Sequence, residues 1–199
     1  MPARYPIILA LISVFLFSAC QKGEDDPKIS LRTRKARVAG EWRLTEGNLV
    51  IGTTDITNGL RYNQVYDFNG SNYTMTETSQ GLTPAVSSGA YLLNITFDKK
   101  GNFSLTEQMK LKKLNASGTW DFNAGLGSEK KKEKLVIALK DVSASKTPGY
   151  HLFNQNSTKF IYTIKELRNK RMALKAELPI YIDADGSEQT FYGEFVFIQ

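Results

Sequence analysis

From residue 62 onward the chain alternates apolar and polar residues with a period of two. Tyr62, Gln64, Tyr66 and Phe68 share one parity, and Tyr91, Leu93, Ile95 and Phe97 share another. The same alternation runs through Phe103, Leu105, Glu107 and Met109, then Trp120 and Phe122, then Leu135, Ile137 and Leu139. It resumes at Phe160, Tyr162 and Ile164, continues through Met172, Leu174, Ala176 and Leu178, and ends with Phe191, Phe195 and Phe197. A period of two places each set on one face of a sheet, so the pattern predicts strand after strand and no strong internal helix.

The separators between these sets are turn formers. Asn58-Gly59, Asn69-Gly70, Lys100-Gly101, Asn169-Lys170 and Asp185-Gly186 each offer a residue tolerant of positive φ. Two longer stretches rich in Ser, Gly and Pro, residues 79–90 and 142–157, read as loops able to form lids or rims. Ahead of the strands, Ser30 is placed to cap a short helical turn that ends before Gly40. The expected fold is all-β, with eight to ten sequential antiparallel strands. Closing the sheet into an up-and-down barrel hides both edges, whereas a β-sandwich, the alternative, hides them in part. A barrel of about eight strands has room for packed side chains or for one small ligand.

The first 19 residues have a different pattern. Arg4 precedes an apolar run from Ile7 to Phe17, broken by Ser13, and Ser18 and Ala19 supply small side chains at its end. That is the layout of an export signal, and the run is short for a transmembrane helix. Cys20, the one cysteine of the chain, stands directly after it and has no disulfide partner. Residues 20–28 are polar, with Gly23 and Pro27, and read as a flexible tether. Residues 29–199 then form a single domain.

These features resemble known families. "FSAC" (17–20) is similar to the lipobox of bacterial lipoproteins, which implies lipid on Cys20 and a cleaved signal before it. Two or more acyl chains suffice for stable membrane attachment. The acidic run Glu24-Asp25-Asp26 either solvates the tether or resembles the export signals of some Bacteroidota surface lipoproteins. "VAGEW" (38–42) resembles the Gly-x-Trp start of lipocalins. With "FDKKGNFSLTEQMK" (97–110) and "ASGTWDF" (116–122), the whole looks like the lipocalin-like lipoproteins of Bacteroidota. The resemblance implies a lipocalin-like barrel held at the outer membrane, on its periplasmic face or at the cell surface. Gly40 and Trp42 match the barrel-floor motif, and Trp120 is given a related packing role. Lipocalins often set a late arginine across the floor tryptophan, for which Arg168 and Arg171 are the candidates.

Candidate chemistry is sparse. The formal net charge is +6, but the cations are scattered and form no basic face with stacking aromatics, so no nucleic acid is expected. His151 is the only histidine and lies in a loop without a triad signature, so no enzyme is expected and no catalytic residue is assigned. A single histidine beside a lipidated cysteine gives no zinc site, and no cofactor is implied. "DADGSE" (183–188) offers Asp183, Asp185 and Glu188 but lacks the remaining ligands of a calcium loop, and a hairpin turn explains it. Lys130, Lys131, Lys132 and Lys134 gather at a hairpin tip that discourages edge pairing and could meet an anionic glycan.

The aromatic residues Tyr62, Tyr66, Phe68, Tyr73, Tyr91, Phe97, Phe103 and Phe122 are the candidate ligand contacts, if the interior is open. Two functions follow as expectations. One is a membrane-anchored binder of a small, largely apolar ligand. The other is a filled barrel that contacts a glycan or an envelope protein.

Overall fold

The structure is a computed structural model that describes residues 32–55, 57–123, 134–144, 159–168, 170–182 and 187–199. A short helix, α1 (Arg34–Val38), opens it; its cap is Thr33, whose side-chain oxygen accepts the Ala36 N–H at 3.2 Å. Ser30, the cap expected from sequence, lies outside the described residues. Ten strands follow: β1 (Gly40–Thr54), β2 (Arg61–Phe68), β3 (Asn72–Ser79), β4 (Ala85–Phe97), β5 (Asn102–Met109), β6 (Lys112–Phe122), β7 (Lys134–Ala144), β8 (Lys159–Arg168), β9 (Arg171–Ile182) and β10 (Glu188–Ile198). Each pairs antiparallel with its neighbour in sequence, and β1 pairs with β10, so one sheet closes into a ring. Closure removes the free edges that a two-sheet arrangement would keep.

The ring is wider at one end than at the other. β1 changes partner along its length: Gly40–Arg43 pairs with β4, and Gly47–Thr54 pairs with β2. The β2–β3 hairpin is thus a wedge driven between β1 and β4. Below its tip the ring bypasses β2 and β3 and has eight strands; above the tip β2 and β3 separate β1 from β4, whose pairing with β5 ends at Tyr91↔Met109.

The turns follow the sequence closely. Gly59, Gly70 and Gly101 have φ of 71°, 76° and 99°, as the Asn-Gly and Lys-Gly pairs predict. The expected loop at 79–90 needs correction. Ala85 to Ala90 belongs to β4, paired with β3 from Glu77↔Ala85 to Asn72↔Ala90. Backbone pairing does not depend on side chains, so a Ser- and Gly-rich segment joins a sheet when a neighbouring strand offers its edge. Likewise Val142 and Ser143 pair with β6, while residues 145–158 lie outside the described set.

The core is one cluster that includes Leu49, Tyr66, Phe68, Tyr73 and Tyr91 of the wide section, and the narrow section holds its largest side chains. Trp42, Leu44, Ile95, Phe97, Trp120, Ile137, Leu174, Phe195 and Phe197 are all buried there. Space for these rings comes from small residues beside them. At the bulge where β7 carries the extra residue Lys140 opposite Ser117 and Gly118, a Cβ on Gly118 would lie 1.9 Å from the Ala138 carbonyl oxygen and 2.8 Å from Phe103. Only glycine fits that approach.

Candidate functional site

At the narrow end, α1 covers the ring. The Trp42 indole N–H donates to the Val38 carbonyl at 2.7 Å, and both residues are buried. A Cβ on Gly40 would fall 2.3 Å from the Gln199 side-chain nitrogen, so the last residue of the chain packs over this glycine. Trp120 donates to the Asp98 carbonyl at 2.9 Å, meets Phe97 and Phe122 edge-on, and has the Lys35 ammonium 5.6 Å from its ring centre.

The arginines here are not the expected ones. Arg168 and Arg171 are largely exposed and bond the Glu166 carboxylate, at 2.9 and 3.1 Å, across the β8–β9 turn. The buried arginines are Arg34 and Arg37 of α1, and Arg37 donates to the Leu167 carbonyl. A helix lying across the end of the ring reaches inward from outside, a placement that strand periodicity does not reveal.

The eight candidate aromatic residues fall into two groups. Phe97, Phe103 and Phe122 are buried in the narrow section beside Trp120. Between Leu93, Ile95, Ile137, Tyr162, Leu174 and Phe195 the free space is only about 10 Å³, about the least that can hold one water. Tyr66, Phe68, Tyr73 and Tyr91 instead form a connected row in the wide section. Ring centres are 6.2 Å apart for Tyr66–Phe68 and Tyr66–Tyr73, and 4.4 Å apart for Phe68–Tyr91. Tyr62 lies nearest the mouth and is 38% exposed.

Register shows what else faces inward there. Ile51 sits opposite Gln64, Gln64 opposite Glu77, Tyr66 opposite Met75, and Ile51 opposite Phe191. Ile51, Met75 and Phe191 are only partly buried although they point into the ring. Gln64 donates to the Glu77 carboxylate at 2.9 Å and accepts from the Tyr66 hydroxyl at 3.3 Å. Burial, with the charges of Tyr73 and Glu77 nearby, pushes the Tyr66 phenol above its ordinary range.

At the base of the wide section lies a buried carboxylate. Glu107 of β5 has no solvent exposure, and its Oε1 accepts the Tyr91 hydroxyl at 2.5 Å. Its Oε2 makes no hydrogen bond among the described residues. Burial raises the carboxyl to about 7, against the lowering effect of the Tyr91 hydrogen bond. Tyr91 and Tyr162 are both raised, first by burial and then by the Glu107 charge. Alternation alone assigns Glu107 to the inner face and gives it no role. The available signal is a carboxylate in an otherwise apolar inward set.

The remaining candidates are elsewhere. Cys20, His151, Lys130, Lys131, Lys132, Asp183 and Asp185 lie outside the described residues, while Lys134 begins β7 and Glu188 begins β10. On the outer surface of β4 to β7 a groove of about 460 Å³ is lined by Asn94, Thr96, Ser104, Thr106, Asn115 and Asp141, among others. No family model, curated protein or solved structure matches this chain.

Proposed function

We propose that the chain is a lipid-anchored envelope protein of lipocalin-like barrel design that binds a small, largely apolar ligand in the wide section of its ring. The observation that carries this reading is the change of interior along the axis. In the narrow section the inward side chains are closed over one another. In the wide section Ile51, Met75 and Phe191 face inward yet stay partly open, beside the polar pair Gln64 and Glu77. Apolar walls with a few convergent polar groups are the usual composition of a small-molecule pocket. Tyr62, Tyr66, Phe68, Tyr73 and Tyr91 are the aromatic contacts in this reading, and Phe97, Phe103 and Phe122 serve as core.

Anchorage rests on the lipobox resemblance at Cys20. Acyl chains on that sulfur would hold the domain at the outer membrane without any apolar patch on its surface.

Native mass spectrometry of the protein extracted from its membrane tests the reading. A retained adduct of small-molecule mass, lost when Met75 is replaced by Trp, is expected; an adduct-free protein that takes up no apolar probe would overturn it. In the same preparation, Cys20→Ala should move the protein to the soluble fraction.

The second reading is a filled barrel that contacts a glycan or envelope protein from outside. The groove over β4 to β7 favours it, because amide and hydroxyl side chains with one carboxylate suit the hydroxyl groups of a neutral sugar. Retention on immobilised glycans, lost in Asn115→Lys, would select that reading over the first.

A further inference from the structure

We propose that Glu107 anchors the basic nitrogen of a ligand whose apolar body lies along the Tyr66–Phe68–Tyr91 row. The inference rests on the ligand-binding reading above and names the chemical class of that ligand.

Three independent observations support it. The first is the incomplete hydrogen bonding of the carboxylate. Tyr91 occupies Oε1, and Oε2, fully buried, has no donor among the described residues. A buried charge without its full set of donors is costly, so a ligand N–H that supplies one has a ready gain.

The second is position. Glu107 sits opposite Leu93, just past the tip of the β2–β3 wedge, where the Tyr91 N–H bonds the Ser71 carbonyl at 2.9 Å. The wide section therefore ends on this carboxylate. The row Tyr66, Phe68 and Tyr91, buried and in ring contact, runs from the partly open wall down to it.

The third is the sign of the surrounding charge. Below the rim, the charged residues that face inward from the described strands of the wide section are Glu77 and Glu107, both acidic. Two lysines stand at the β5–β6 turn: Lys112, and Lys110, whose chain lies across Gly89 on the face that Tyr73 shares, with its ammonium 5.8 Å from the Tyr73 ring. Among the described residues, Glu107 has Leu93 and Leu114 opposite it and is coupled to Tyr91 from β4 and Tyr162 from β8, none of them cationic. The chain as a whole has a net charge of +6, so an acidic interior is local and opposes the overall balance. Past Lys110, whose ammonium is held against the Tyr73 ring, an ammonium head meets the Glu77 and Glu107 carboxylates, and a carboxylate head meets like charge there.

Calorimetric titration with decylamine, decanol and decanoate tests the assignment on the full-length protein. At about pH 8 the amine should bind roughly tenfold more tightly than the alcohol, and the acid most weakly. Glu107→Gln should bring amine and alcohol to within about threefold of each other while decanol affinity stays unchanged, which also reports an intact fold. At about pH 5, where the carboxyl holds its proton, the amine preference should shrink in the wild type and not in Glu107→Gln. Equal binding of amine and alcohol by the wild type, or an amine preference that survives Glu107→Gln, would overturn the anchor and leave the apolar site standing. Failure of all three probes to bind would overturn the apolar site and the anchor together.

Discussion

The two sections of the ring are built from the same alternating strands, yet they solve different problems. In the narrow section eight strands enclose Trp42, Phe97, Trp120, Phe195 and Phe197, and the leftover space is about 10 Å³. In the wide section the inserted β2–β3 hairpin pushes the walls apart, and inward residues such as Met75 and Phe191 are left partly uncovered. Adding two strands to a ring increases its diameter, while the side chains that must fill it stay the same length. The narrow end is therefore closed by packing, whereas at the wide end Met75 and Phe191 pack against the core and are only partly covered.

Substitutions can sharpen that contrast. The largest effect is expected at the narrow end, where Trp42→Ala removes a buried indole and its bond to Val38. A loss of about 3–5 kcal/mol in denaturant unfolding is expected. A loss below about 1 kcal/mol would mean that the narrow section is not the packed core.

At the junction, Glu107→Gln is expected to change stability in a pH-dependent way. The native carboxyl is raised from 4.5 to about 7, so the folded state holds a proton that the unfolded state releases over that window. Wild-type stability is therefore fully retained below about pH 4.5 and falls as pH rises to about 7, by about 3 kcal/mol. Glu107→Gln should abolish that slope, which urea melts at several pH values would reveal. Tyr91→Phe removes the hydrogen bond that holds the carboxyl down, so it should move the midpoint upward in a side-chain NMR titration.

At the wide end, Met75→Ala should cost only about 1 kcal/mol in the same urea assay, because the side chain is already partly in contact with solvent. A cost equal to that of Trp42→Ala would erase the distinction between the two sections. Least of all, Arg171→Ala should change stability by less than about 1 kcal/mol. Its guanidinium is largely exposed, and Arg168 still pairs with Glu166.

Much of this architecture is legible from residue types. The sets Tyr91 to Phe97, Phe103 to Met109 and Phe160 to Ile164 are inward-facing as their alternation requires. Other features have no such signature. The β5–β6 turn is made by Lys110, with φ of 54°, and Leu111, neither of which marks a tight turn in sequence. The segment Ala85–Ala90 reads as loop by composition and is strand by pairing. Of the site, the aromatic row was visible as candidate residues, but its separation from Phe97, Phe103 and Phe122 was not.

Sequence by itself determined that the chain is a succession of antiparallel strands, which face of each is apolar, and where most turns fall. Those properties are local: they follow from a period of two and from residues that tolerate positive φ. Only the tertiary structure decided that β1 divides its pairing between β4 and β2, and with it the widening of the ring. The same closure buried Glu107 beneath Tyr91, and at the closed end it buried Arg37 while leaving Arg168 and Arg171 exposed. Register between distant segments and burial inside a closed ring depend on strands far apart in the chain, and no local pattern encodes them.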